Sequence, residues 1–540
     1  MKWMPLSLAV ASVIAVAGCS SPTAQSGSEQ PSDSVRIARR ELLFQLDRQQ
    51  RTGNVDPQLE AAFKKGPPSI WWTISTSGES KTYAPIIPPT PEIKQTLNPD
   101  LAIVGGELEA VTTAMAAAKK GQKVVIVTDT DLGGLSSDTA GNMRFVDSMP
   151  GTVRTPAQLE LYKAIGLEDN VGVPAQTGDK IGSHLEEAYK DKIEVVRVAK
   201  ISNLLVEKSS DLKSITTDTG IKIEAARFLD MDPESRLAEL SGLELDINTP
   251  ALSYGLVFDL ENIEEKDYKS LENKLFLTPE SILKYVGVRW DEVKDNKLVK
   301  TSYEKLLQCL KREKNFIAPT YSLGYISVAE GFNFMMQVRG AVKPTEDLKW
   351  LNEKRMSSGF NIAHYKDSAT LNSMSYMIPA TILQHEHSLS KDPEWKAITQ
   401  TEVPALQEYF QYVTGNMAMQ VRISDEFYVR RSTANVKTLH PFTEADFTKG
   451  PSTKWWMTYM LDFRDLRPRD DYDKELFRQI VRTTHGRRWW ICRPSTMETE
   501  IPNLYVLNKC AVTPQYSGGL RIIQNLINTG QAWVESLPKQ

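Results

Sequence analysis

Residues 101–129, LAIVGGELEAVTTAMAAAKKGQKVVIVTD, constrain the fold more than any other stretch. An apolar run ends at Gly105-Gly106, an alanine-rich segment follows, Gly121 stops it, and a second apolar run closes at Thr128. Short apolar runs bounded by glycine read as buried strands, and an alanine-rich segment closed by glycine reads as a helix. The spacing predicts a strand at 101–105, a helix at 110–120 and a strand at 123–128, a β-α-β unit of a parallel sheet. Such a turn aims free backbone N–H groups at a phosphate, and glycine lets the ligand come close. Gly105 and Gly106 open the turn, Glu107 stands at the third fingerprint position, and Ala110 stands at the last. A pyrophosphate fits if the Glu107 side chain swings outward, and is held less tightly if it points in.

An acidic residue is expected at the end of the second strand to receive a ribose hydroxyl. Thr128 ends the strand and Asp129 follows it, so either one fills that role, or Asp129 simply opens a polar loop. Just beyond, DLGGLSSDTAGN supplies Gly133 and Gly134, which let a backbone pass close to a cofactor.

The N-terminus reads MKWMPLSLAVASVIAVAGCSS: one lysine, an apolar run too short to span a bilayer comfortably, and a small-residue exit at Cys19. Residues 16–19 resemble a bacterial lipobox, which implies cleavage before Cys19 and a lipid on its thiol. The alternative is a plain signal peptide with an incidental cysteine. The cell envelope is the expected location, with Ser20 after the cysteine favouring the outer membrane. Without a twin arginine the chain is expected to cross unfolded and to acquire any cofactor outside the cytoplasm. Formal net charge is −4 over 540 residues, which is not the balance of a chain that neutralises nucleic-acid phosphates. Cys309, Cys492 and Cys510 show no metal-ligand spacing.

Residues 19–99 read as a tether and a proline-rich extension, with helical spacing at 36–65 and an extended connector at 66–99. Strand-like runs continue through IEVVRV, ISNLLVEK, LKSITTDTG, IKIEAARFLD and ALSYGLVFDL. Residues 260–485 carry charged helical text and aromatic clusters, and read as an inserted substrate or cap domain. From 486 to 540 the chain returns to a strand, NLYVLNKCAV, and an amphipathic helix, RIIQNLINTGQAWVESL.

The order of these features resembles the FAD-dependent oxidoreductase family, whose FAD-binding fold is related to those of glutathione reductase and fumarate reductase. Gly105, Gly106 and Ala110 lie on its GG-x-x-x-G turn, and Leu132-Gly133-Gly134 on its LGG. DMDPESRLAELSG, residues 230–242, is similar at its ends to the family's DATGDGDLAALAG. Tyr428, Val429 and Arg430, then Thr443, Glu444 and Asp446, match YVRETRR and LTEEDV; Tyr459 and Asp462 match SYPID; Arg493 matches IPYRSL. Near the end NLYVLNKC is similar to NLLVAGRC, and Arg521, Gly530 and Ala532 match RVMPTCMALGQA. The resemblance covers about residues 100–535. Met231-Asp232-Pro233 replaces Ala-Thr-Gly, Thr433 replaces the second Arg of RETRR, Asn508 and Lys509 replace the Gly-Arg of AGR, and Gln515 stands where many members have His.

The resemblance implies an α/β fold: a Rossmann-like FAD-binding domain, 100–259 and 486–540, with an inserted α+β domain. It implies FAD, with Gly105, Gly106 and Ala110 at the pyrophosphate, Asp129 or Thr128 at the ribose, and Gly133 and Gly134 near the flavin. Gly518, Gly519 and Arg521 would bring the N-terminus of the last helix to the flavin ring. Arg430 and Arg493 are the candidate catalytic groups, since guanidinium stays charged and can hold an anionic substrate or reduced flavin. An ion pair between domains is their alternative role. Partners are then a small-molecule substrate, the membrane through the lipid, and an unassigned electron acceptor. The competing class is a non-catalytic lipoprotein with a remodelled pocket. His385 and His387 lack a third metal ligand, and the Trp-Trp pairs at 71–72, 455–456 and 489–490 read as packing.

Overall fold

The computed structural model describes residues 34–78, 80–134, 154–166, 177–247, 251–273, 275–312, 326–357, 361–364, 368–379, 395–423, 428–429, 434–440, 447–448, 457–460, 487–490, 497–511 and 523–538. The first described segment is a small module. Strands β1 (Ser34–Ala38), β2 (Trp71–Ser77) and β3 (Ser80–Pro85) form an antiparallel sheet in that order, with Ile37 opposite Trp72. Helices α1 (Arg39–Thr52) and α2 (Pro57–Lys65) join β1 to β2. Asp56 caps α2 by accepting from the backbone N–H of Gln58 at 2.9 Å, and Pro57 takes the first turn, where no donor is needed. Leu42, Leu46, Leu59 and Trp72 close a core, the Trp72 ring 5.0 Å from that of Phe63. The extended connector is shorter than the sequence indicates: it runs only over 86–94, because 71–84 contain no proline and are free to donate ladder hydrogen bonds.

The next elements are β4 (Gln95–Leu97), β5 (Leu101–Val104), α3 (Leu108–Lys119), β6 (Val124–Thr128), α4 (Pro156–Ile165), α5 (Thr177–Tyr189), β7 (Ile193–Arg197), β8 (Leu205–Lys208), β9 (Leu212–Thr216), β10 (Ile221–Ile223), β11 (Arg227–Asp230) and α6 (Arg236–Leu240). β11, β5, β6 and β7 are neighbours in a parallel sheet, and strand Leu504–Val506 adds to the outer side of β11. β5 and β6 are buried along their whole length, as expected of parallel strands covered on both faces. One face carries α3, α4, α5 and helix Ile523–Ser536, with Ile103, Val111, Met115, Ile126 and Trp533 in the core. The other face carries β8–β10 and α6, with Val104, Val127, Ile215 and Phe228 between the layers.

Helix α3 begins at Leu108, two residues before the glycine spacing indicates. The Glu107 carbonyl accepts from the N–H of Ala110 at 2.9 Å and of Val111 at 3.1 Å, so helical bonding starts directly after the turn. Small alanine side chains let α3 bury nearly every residue. Helix Ile523–Ser536 comes so close that a β-carbon on Gly530 would lie 2.1 Å from Thr113 Oγ1.

The region after β11 contains a separate layer. Strand Ala251–Glu261 pairs antiparallel with Ser368–Pro379 and with Gln420–Ile423. Helices Pro279–Val286, Lys297–Arg312, Ile326–Val342 and Val403–Thr414 share a core with that sheet through Phe258, Ile282, Phe332, Tyr376 and Tyr409.

Candidate functional site

The candidate site lies where the C-terminal ends of β5, β6 and β11 meet, the usual ligand position of an open parallel sheet. Gly105 has φ of +126°, and a β-carbon there would come within 2.7 to 2.8 Å of the Met231 and Asp232 backbone. Only glycine permits that approach. A β-carbon on Gly106 would meet Thr128 Oγ1 at 2.2 Å. Both glycines of the turn are thus required by the protein's own packing. Ala110 is fully buried among the apolar residues of α3.

Glu107 points inward. Its residue is 5% exposed, and its carboxylate lies so near Gly134 that a β-carbon there would be 2.2 Å from Cδ and both oxygens. The Gly133 N–H donates to the Gly106 carbonyl at 2.7 Å, and Gly133 and Glu107 form a parallel bridge. The loop that carries Gly133 and Gly134 is therefore folded onto the glycine turn. Their φ angles, +90° and +52°, explain why this loop is built from glycine.

Thr128 is buried and turned to its own loop: Oγ1 donates to the Thr130 carbonyl at 3.0 Å and accepts from the Thr130 N–H at 3.1 Å. Asp129 has a different set of partners. Arg236 Nη1 donates to Asp129 Oδ2 at 2.6 Å and Nη2 to Oδ1 at 3.0 Å, a bidentate pair with side chains 1% and 3% exposed. The N–H of Ile201 also donates to Oδ2, at 3.0 Å. Asp232 receives the other edge of the same guanidinium, from Nε at 3.0 Å and Nη2 at 2.8 Å. Burial alone would lower the Arg236 pKa, but Asp129 and Asp232 outweigh it and hold the group well above its ordinary value.

Asp230 lies below this pair and accepts from the N–H of Asp232 at 3.1 Å and of Ala238 at 2.7 Å. Burial, then the Asp232 charge, push its carboxyl well above the usual range. Asn508 ties the segment together. Its amide nitrogen donates to the Asp232 carbonyl at 2.8 Å, and its oxygen accepts from Ser235 Oγ at 2.9 Å and the Cys510 N–H at 2.8 Å. Ser235 has φ of +53°, a left-handed conformation that the Asn508 bond helps to hold.

A buried line of charge continues from here. Lys509 Nζ lies 3.1 Å from Glu234 Oε1, and Arg40 of α1 reaches Glu234 Oε2 at 2.9 Å and Glu239 Oε2 at 3.0 Å. Arg40 Nη2 also donates to the Glu234 carbonyl. On α3, burial pushes the Glu109 carboxyl up to about 7, while the charge of Lys509 pulls it down. Burial pushes the Cys510 thiol up to about 12.

The other candidates, Arg430, Arg493, Gly518, Gly519, Arg521 and Cys19, lie outside the described residues, as do His385 and His387. Among the described residues there is no cluster of metal-ligating side chains. Trp72 is core, and Trp71 lies under the Arg36 guanidinium at 4.1 Å. Sequence reasoning missed Arg236 and Arg40. Arg236 had a signal, since it stands where DATGDGDLAALAG has its last Asp, a reversal of charge. Arg40 had none, because its partners are 194 and 199 residues away.

The family model described as FAD dependent oxidoreductase matches residues 100–533. No curated protein matches the chain. Among solved structures, the L-proline dehydrogenase from P. horikoshii is 9% identical, with 81% of this chain and 92% of that chain covered and a TM-score of 0.33. The flavin-dependent monooxygenase PieE, solved with FAD and substrate, is 11% identical, with 64% and 51% covered and a TM-score of 0.29. The p-nitrophenol 4-monooxygenase PnpA from Pseudomonas putida DLL-E4 is 15% identical, with 32% and 49% covered and a TM-score of 0.21. The chain spans between 38% and 51% of the length of several solved structures that it matches.

Proposed function

This chain belongs to the FAD-dependent oxidoreductase family, and from that premise we propose that it is an exported, lipid-anchored flavoprotein that takes a hydride from a small organic substrate. Its cofactor is FAD and its general role is that of an oxidoreductase. The observation that carries the reading is the family match over 100–533, which runs through the glycine turn, the inserted layer and the returning strand Leu504–Val506. Lipid anchoring is supported by Cys19 at the end of the small-residue exit. An anionic substrate is supported by Arg430 and Arg493, whose guanidinium groups stay charged at any working pH.

Gly105, Gly106 and the N-terminus of α3 would form the turn that holds the pyrophosphate of FAD. Two side chains qualify the fit. Glu107 brings a carboxylate to that turn, and Asp129, the ribose candidate, is bonded to Arg236. When bound, FAD supplies the two-electron chemistry. The residues of the chain would bind and orient it and set the charge around it.

The test uses the full-length chain purified from membranes in detergent. Flavin bands that stay with the protein after excess FAD is removed, and a mass at Cys19 increased by an acylated glyceryl group, are the expected results. A folded but colourless chain whose melting temperature FAD leaves unchanged overturns the proposal and leaves a ligand- or partner-binding descendant of the fold. A mature chain that begins at or after Cys19 and carries no added acyl mass overturns the anchoring.

A further inference from the structure

Resting on the FAD reading above, the geometry points to Arg236 as a built-in competitor for the adenosine ribose, holding the Asp129 carboxylate that the ribose hydroxyls need. A ribose offers two neutral O–H donors to a carboxylate. Here both oxygens of Asp129 are engaged by a bidentate guanidinium at 2.6 and 3.0 Å, Oδ2 also accepts the Ile201 N–H, and the side chain is only 3% exposed, so three of its roughly four acceptor sites are taken and the arginine covers the approach. Charge-assisted bonds are stronger than neutral ones, so the hydroxyls do not win this carboxylate without displacing the arginine.

The second carboxylate makes displacement feasible. Asp232 lies four residues before Arg236 on the same segment and already binds Nε and Nη2. An Arg236 side chain that leaves Asp129 keeps a counter-ion, so its charge is never buried alone. The segment itself stays in place, because Asn508 holds the Asp232 carbonyl and the Ser235 hydroxyl. Arg236 is therefore a positioning residue with two partners, one shared with the cofactor and one its own. FAD must compete for Asp129, and FMN, which lacks the adenosine ribose, need not.

The test is titration of the cofactor-free full-length chain in detergent with FAD and, separately, with FMN, followed by flavin fluorescence. Arg236→Gln removes the competing charge and keeps an amide that can donate to Asp232. This variant is expected to bind FAD about ten-fold tighter than the parent chain, with FMN affinity unchanged. The double variant Asp129→Asn with Arg236→Gln removes both charges of the pair together, which buried pairs tolerate better than loss of one partner. It keeps an oxygen for the ribose and is also expected to bind FAD more tightly than the parent, so it decides the matter if the single variant does not fold. FAD affinity equal to or below that of the parent in the folded variants overturns the inference, as does an equal gain for FMN. If no form takes up either flavin, the inference falls together with the proposed function. FAD uptake by the parent that neither variant improves overturns the inference alone.

Discussion

The guanidinium of Arg40, on the first helix of the chain, donates to the carboxylate of Glu234 at 2.9 Å across 194 residues of sequence. The same group reaches Glu239 at 3.0 Å, and all three side chains are at most 2% exposed. The N-terminal module is thereby pinned to α6 and to the segment before it that borders the candidate site. Replacing Arg40 with Met leaves two buried carboxylates short of their shared cation, and is expected to cost about 3–5 kcal/mol. Urea denaturation measures this, and Arg40→Lys should recover part of the loss. A cost near zero would mean that the module is not held by this contact.

Glu109 makes stability depend on pH. Its carboxyl titrates at about 7 in the folded chain against 4.5 for the ordinary group. Below 4.5 both folded and unfolded chains are protonated, and the contribution is fully present. Between 4.5 and 7 the unfolded chain gives up a proton that the folded chain keeps, so stability falls as pH rises, by about 3 kcal/mol at most. Melting temperatures from pH 4.5 to 8 should show this fall in the parent, and Glu109→Gln should reduce it.

Glu107 places a negative charge beside the turn expected to take the pyrophosphate. Neutralising it as Glu107→Gln removes like-charge repulsion near a helix N-terminus, and about a three- to five-fold gain in FAD affinity is expected. Fluorescence titration at low and moderate salt checks this. Unchanged affinity would place the bound phosphates away from the carboxylate.

Gly530 sets how closely the last helix approaches α3. Gly530→Ala brings a β-carbon to 2.1 Å from Thr113 Oγ1 and 3.3 Å from its Cβ. Overpacking of this kind is expected to cost about 1–3 kcal/mol. Thr113→Ala in the same chain should restore most of it, which a double-mutant cycle by denaturant unfolding would reveal. Independent, additive losses would contradict close packing at this point.

Much of the parallel layer was legible because its signals are local. Apolar runs with glycine between them define β5, α3 and β6 to within two residues, and IEVVRV and the end of IKIEAARFLD contain β7 and β11. The hairpin at 71–85 was obscured by the prolines on either side of it, Pro67 and Pro68 before and Pro88, Pro89 and Pro91 after. Asn508 stood out in sequence as a departure from glycine, but its bonding partners at 230, 232 and 235 follow only from the sheet bringing those segments together.

By itself the sequence determined the family, the glycine turn and the succession of strand-like runs along the chain, because backbone conformation and burial periodicity are written over a few residues each. The tertiary structure decided which side chains meet there. Whether Glu107 points in or out, whether Asp129 is open to a ribose, and what neutralises Glu234 depend on residues up to about 275 positions apart. Charges interact through space, at distances set by the fold, so no reading of one segment could assign Arg236 to Asp129 or Arg40 to Glu234.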